Sequence, residues 1–152
     1  MSEPVTIKRG TEIELEIESL AYGGMGLARI ENFVIFVKHA IPGQKVLARI
    51  YKKRKGYAEA QVLETLVESP KAVDVCCKHY WICSKIQSLS YDEQIKEKSS
   101  QVEDAFVRLG GFLNFKLDKV QKANLIYHYR NKMEFTFWPN RWVLESEPEG
   151  VD

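Results

Sequence analysis

The run Thr11-Glu12-Ile13-Glu14-Leu15-Glu16-Ile17-Glu18 places an apolar residue at every second position and a glutamate at each position between. Successive side chains of a strand point to opposite faces, so this period of two buries Ile13, Leu15 and Ile17 together and leaves the glutamates in water. At helical spacing the same residues would scatter around the axis and bury nothing. A half-buried strand needs a neighbour, so the start of the chain commits to a sheet. Tyr22-Gly23-Gly24-Met25-Gly26 follows, and glycine there lets the backbone turn or bulge.

Leu27-Ala28-Arg29-Ile30 reads as a second strand, Glu31-Asn32 as a tight turn, and Phe33-Val34-Ile35-Phe36-Val37 as a β-rich third strand. Ile41-Pro42-Gly43-Gln44 is a turn signal. Residues 45–51 and 57–65 complete the set as a hairpin. Five short strands in so short a span, with no helix required, predict a small closed barrel of the OB type over residues 1–67.

The pattern breaks at Ser69-Pro70-Lys71, where a second part, residues 68–152, begins. It opens with a loop holding every cysteine: Cys76-Cys77-Lys78-His79-Tyr80-Trp81-Ile82-Cys83. Ser90 with Glu93 has the form of a capping box. Ile95, Val102, Ala105, Phe106 and Leu109 recur at helical spacing until Gly110-Gly111. Met133, Phe135 and Phe137 alternate and predict a strand, with Trp142-Val143-Leu144 and an acidic stretch over 145–152 beyond it. One helix and a strand or two close a core poorly, so this part reads as an incomplete α+β domain.

Charge narrows the function classes. Lys and Arg number 22 against 21 Asp and Glu, so any attraction to nucleic acid is local. Six cations with no acid among them lie over residues 45–55: Lys45, Arg49, Lys52, Lys53, Arg54 and Lys55, flanked by Tyr51 and Tyr57. Cations at a hairpin tip reach phosphates, and tyrosines stack on exposed bases. The plainer reading is a turn kept soluble by lysines. On an OB-like barrel the binding reading is favoured, because such barrels commonly hold single strands on one face and its loops. Lys38 and Arg130 are further candidates. The glutamates of 12–18 are expected on a solvent face away from the nucleic acid.

Three cysteines are too few for a disulfide framework, so a reducing cytoplasm is the expected compartment. The longest apolar run, Phe33–Val37, is far short of the ~20 residues of a spanning helix. Cys76, Cys77 and Cys83 are thiols at close spacing, of a kind that suits zinc or an iron–sulfur cluster, with His79 as a further donor to zinc. The alternative is a buried or merely reduced thiol. His39, His79 and His128 stand in no catalytic motif, and no phosphate loop or H-E-x-x-H is present, so no catalytic residue is assigned.

Ser19-Leu20-Ala21-Tyr22-Gly23-Gly24-Met25-Gly26-Leu27-Ala28-Arg29, then Phe33–Val37, then Ile41-Pro42-Gly43-Gln44-Lys45-Val46, resembles a TRAM domain, an OB-like RNA-binding module. Cys77-Lys78-His79-Tyr80, the block Gln87–Lys98 and Tyr129-Arg130-Asn131-Lys132-Met133-Glu134-Phe135 are similar to the RNA uracil-5-methyltransferase family. That resemblance implies an N-terminal portion of an enzyme that transfers methyl from S-adenosylmethionine to C5 of a uracil in ribosomal or transfer RNA. Its catalytic domain has no counterpart among these residues. Many members hold a [4Fe–4S] cluster. Here Cys77 and Cys83 keep the first cysteine spacing, but Ser84 stands where the third thiolate falls, so an intact cluster is not expected. The expected partner is RNA, with no membrane, no DNA and a monomeric chain. The alternatives are a free-standing RNA-binding module and a metal or redox protein built on the cysteine loop.

Overall fold

A computed structural model describes residues 7–137 and 139–141. Trp142-Val143-Leu144 and the stretch 145–152 lie outside the described residues. The strands are β1 (Glu12–Glu16), β2 (Ser19–Leu20), β3 (Gly26–Ile30), β4 (Phe33–Lys38), β5 (Lys45–Lys53) and β6 (Tyr57–Val67). They form one sheet in the order β1-β5-β6-β4-β3-β2, with β4 and β6 parallel and every other pair antiparallel.

The alternating glutamate run is two strands, which makes six where five are expected. Ile17 exchanges backbone hydrogen bonds with the 43–44 turn, its N–H going to the Gln44 carbonyl at 2.9 Å. One residue on, the Glu18 N–H goes instead to the Leu27 carbonyl, also at 2.9 Å. The chain therefore changes partner between Ile17 and Glu18, pairing with β5 before and β3 after. Since β1 and β2 are the two outer strands and only Ile17 and Glu18 separate them, the sheet closes on itself. Closure leaves little open edge that would otherwise template pairing with other chains.

The interior holds Leu15, Ile17, Ile35, Val37, Val46 and Ile50, with Ala28, Ala48, Ala58 and Ala60 between them. A barrel this narrow fills its centre only by alternating large and small side chains. Gly26 sits where the chain passes close to Ile17 and Ala40. A Cβ there would lie 2.9 Å from Ile17 Cγ2 and 3.0 Å from the Ala40 carbonyl oxygen. The 31–32 turn forms as expected, with Glu31 at φ 54°.

After β6 the chain stays on the barrel. Ser69 Oγ donates to the Pro42 carbonyl at 2.6 Å, and Leu89 joins Leu20 and Ile41 in a second small core. The cysteine loop contains a short helix, α1 (Tyr80–Cys83), and α2 spans Tyr91–Asp104. Glu97 of α2 accepts from the Leu20 N–H at 3.1 Å, and Gln101 donates to the Leu20 carbonyl at 3.3 Å. The helix thus supplies hydrogen bonds that β2, a two-residue edge strand, lacks on its outer side.

The capping box does not form. Ser90 occupies the N-cap position without a side-chain bond. Glu93 instead pairs with Lys71 at 2.8 Å and with Lys96. The helix ends through a π-turn at Ala105–Leu109, and Gly111 takes φ 69°. The strand expected at Met133, Phe135 and Phe137 is absent. Among the described residues the second part is helical, and its β structure is a single bridge between Ala72 and Leu89. Alternation makes a strand only where a neighbour completes its ladder, and residues 131–137 have none.

Candidate nucleic-acid interface

Strands β4, β6 and β5 lie side by side, and their outward positions alternate with the alanines and valines that line the interior. Register sets Phe36 opposite Glu59 and Lys38 opposite Gln61 between β4 and β6. Between β5 and β6, Ile50 opposes Ala60 while Lys52 opposes Glu59, so Tyr51 is an extra residue, a β-bulge. A bulge turns two consecutive side chains toward the same partner. Tyr51 and Lys52 therefore meet Glu59 together.

The result is a compact group. Tyr51 donates its hydroxyl to Glu59 Oε2 at 2.9 Å, and Lys52 Nζ donates to Oε1 at 2.5 Å. Lys38 Nζ lies 4.9 Å from the centre of the Tyr51 ring. The Phe36 and Tyr57 rings meet edge to face at 5.6 Å. The Lys52 hydrogen bond, then that of Tyr51, holds the Glu59 carboxyl below its ordinary range. Burial, reinforced by the hydrogen bond to Glu59, pushes the Tyr51 phenol up to about 12. Glu59 is thus a fixed anion among three aromatic rings and two lysines.

The structure separates the basic residues that look equivalent in sequence. Lys45 pairs with Glu14 at 2.7 Å, Arg49 with Glu12 at 2.6 Å, and Lys52 with Glu59. Lys53 Nζ sits 3.9 Å from the centre of the Phe33 ring. Arg54 and Lys55, at the hairpin tip, make no ion pair among the described residues. The glutamates of 12–18 do not face away from the basic residues. Antiparallel pairing of β1 with β5 places Glu12 opposite Arg49 and Glu16 opposite Lys45, and side-chain reach joins Glu14 to Lys45. Of the six cations, three are neutralised across strands. Tyr57, Lys38, Lys52 and Arg49 share the outer face, while Arg54 and Lys55 extend it at the tip.

Arg130 lies elsewhere. It lines a cleft of about 690 Å³ with Cys83, Gln87, Tyr91 and Tyr127, all beyond the barrel. Cys76, Cys77 and Cys83 are exposed free thiols. His79 Nε2 is buried with no hydrogen-bond partner among the described residues. Even so, no three His, Cys, Asp or Glu side chains among the described residues gather as a metal site. This donor set does not fit a four-ligand iron–sulfur cluster, because a cubane needs thiolates converging on one centre. No helix among the described residues is long and apolar enough to cross a membrane.

Two residues of this face, Phe36 and Glu59, carry no signal in the local charge pattern. Phe36 sits inside a run of five apolar residues, where period two cannot say which face is outward. Glu59 was legible in principle, since Ala58 and Ala60 on either side suit the interior. Its meeting with Tyr51 depends on a bulge that no sequence signal marks.

Residues 7–63 match the TRAM domain family. An "Uncharacterized RNA methyltransferase" of Porphyromonas gingivalis is 34% identical over 140 residues, 91% of this chain and 30% of that protein. A protein of the same description from Clostridium tetani is 36% identical over 88% of this chain and 29% of its own length. A third, from Aquifex aeolicus, is 30% identical over 85% and 31%. The chain spans about 30% of the length of these relatives. The solution structure of a conserved protein of Methanococcus maripaludis matches 40% of this chain and 87% of its own, with 33% identity and a TM-score of 0.38.

Proposed function

Because residues 7–63 are a TRAM domain in a chain similar over most of its length to proteins named RNA methyltransferase, we propose that this chain is the RNA-holding portion of such an enzyme. The observation that carries the reading is the outer face of β4, β6 and β5, where Phe36, Tyr57 and Tyr51 stand among Lys38 and Lys52 beside the tip cations Arg54 and Lys55. Aromatic faces stack on unpaired bases whatever their sequence, and tip cations take phosphates. The outward positions of a small barrel suit single-stranded RNA or a loop, whose bases are splayed away from a duplex.

The finer reading is a uracil-5-methyltransferase of ribosomal or transfer RNA acting in the cytoplasm. It is supported by the blocks Gln87–Lys98 and Tyr129–Phe135 quoted above. S-adenosylmethionine is the methyl donor that this reading implies, and no residue of this chain is assigned to it. What this chain contributes is position: it grips the RNA beside the target base and raises the local concentration of substrate.

The test is fluorescence anisotropy of the full chain with a short stem–loop RNA at several salt concentrations. The expected result is salt-dependent binding, weakened several-fold by Tyr57→Ala and by Arg54→Ala with Lys55→Ala. Absence of binding at low salt, or binding untouched by these changes, overturns the reading. The same titration with a matched duplex is expected to be weaker.

A further inference from the structure

Glu59 is an anomaly on a surface meant for a polyanion. It stands opposite Phe36 on one side and Lys52 on the other, with Tyr57 and Gln61 two residues away along β6. Its side chain is 19% exposed, so the carboxylate is recessed but reachable. A carboxylate there repels phosphate, and Lys52 alone does not require one so close to the aromatic rings. Each oxygen accepts one hydrogen bond within the group, Oε1 from Lys52 and Oε2 from Tyr51. An ionised carboxylate has about four lone-pair sites over two oxygens, so one site on each remains for a ligand.

We propose that Glu59 reads the edge of a base stacked against the Phe36–Tyr57 pair, selecting guanine. The inference rests on the reading that this face holds RNA. Two acceptors side by side match a base that presents two adjacent N–H donors. Guanine does so on its Watson–Crick edge, with N1–H beside the N2 amino group. Adenine and cytosine present one amino donor beside a ring acceptor, and uracil one N–H between two carbonyls. Each of those sets a lone pair against a carboxylate oxygen, an uncompensated repulsion in a half-buried site. The bulge at Tyr51 is what makes the reader rigid. Phenol and ammonium clamp the carboxylate from the β5 side. Recognition by acceptors on a carboxylate has a known counterpart in Glu or Asp contacts to base amino groups.

The experiment compares the full chain and its Glu59→Gln variant on four short single-stranded RNAs that differ at one central position: guanosine, inosine, adenosine or uridine. Inosine keeps N1–H and lacks the N2 amino group, so it removes one donor and nothing else. The expected result is guanosine preferred over inosine and adenosine by about tenfold, within the range for a bidentate base contact. In Glu59→Gln the preference for guanosine collapses to within about twofold, while binding to the uridine strand is unchanged or stronger because an anion has been removed. Gln keeps an acceptor for Lys52, and a cooperative melt with an unchanged far-ultraviolet circular dichroism spectrum confirms an intact barrel even where the lost carboxylate lowers the melting temperature. Tight binding with no preference in the parent chain overturns the guanine assignment alone. A uniform loss across all four RNAs in the variant also overturns it, since that marks Glu59 as a brace for Tyr51 and Lys52. Failure of every strand to bind the parent chain at low salt refutes the interface itself.

Discussion

Two stretches of this chain carry the same pattern and meet opposite fates. Ile13, Leu15 and Ile17 alternate with glutamates near the start, and Met133, Phe135 and Phe137 alternate with Glu134 and Thr136 near the end. Leu15 and Ile17 are 3% exposed, whereas Phe135 is 72% and Phe137 93% exposed. Each stretch carries three apolar residues in five, so apolar content does not explain the difference. Partners do. Residues 12–16 pair along their length with β5, while residues 131–137 form no ladder. Alternation states which face a strand would bury. Whether it becomes a strand is decided by another segment.

The largest effect that would test this contrast is truncation of the barrel core. Ile35→Ala and Ile50→Ala are each expected to destabilise the chain by about 2–5 kcal/mol, because both side chains are buried and closely surrounded. Phe135→Ala, the removal of a larger side chain, is expected to stay within about 0.5 kcal/mol. Urea unfolding followed by far-ultraviolet circular dichroism measures both. Equal losses would show that the later stretch is packed in solution, and the comparison would fail.

A smaller loss is expected from Gly26→Ala, at about 1–3 kcal/mol, because the added methyl meets Ile17 and Ala40 at 2.9–3.0 Å where the sheet closes. Gly56→Ala at the hairpin tip meets nothing within 4 Å and serves as the matched control. A Gly26→Ala protein as stable as this control would mean that the crossing between Ile17 and Glu18 is looser than described.

The charge arrangement gives a prediction of intermediate size. Arg49, paired with Glu12, lies midway along β5, and Arg54, without an ion pair among the described residues, lies in the loop beyond its end, so their alanine variants separate a paired from an unpaired cation. Arg54→Ala is expected to reduce the slope of log affinity against log salt by up to ~0.7 on single-stranded RNA, and Arg49→Ala by less, since its charge is offset by Glu12. Equal slopes would show that the strand pairs dissolve when RNA binds.

Ionisation separates the face from the rest by pH. The Tyr51 phenol, raised to about 12, favours the folded state while protonated. Its contribution is therefore complete below the ordinary value of 10.0 and is lost as pH rises from there toward 12. An ultraviolet titration is expected to show one late phenol that Tyr51→Phe removes. Glu59 runs the other way. Its lowered pKa gives stability above the ordinary value of 4.5 that fades as pH falls below it. The smallest effect is at Ser90. Its hydroxyl makes no capping bond, so Ser90→Ala is expected to cost less than the ~1 kcal/mol of a working N-cap, as thermal unfolding would read.

The sequence by itself determined the barrel. Period two, the glycine cluster, the 31–32 and 41–44 turns and the 45–65 hairpin are local signals, and all but the first became the single element they announced. Local chemistry also fixed the end of the helical run at Gly110-Gly111, past the π-turn, and the tip position of Arg54 and Lys55. Three things came only from tertiary structure. The first strand splits at Ile17 because barrel closure requires it to serve two neighbours. The basic run is half neutralised because Glu12, Glu14 and Glu59 arrive from other strands. Glu59 lies among aromatic rings because a bulge at Tyr51 shifts the β5 register by one residue. Each depends on which backbone lies beside which. That is a property of long-range pairing, and periodicity along a single segment does not encode it.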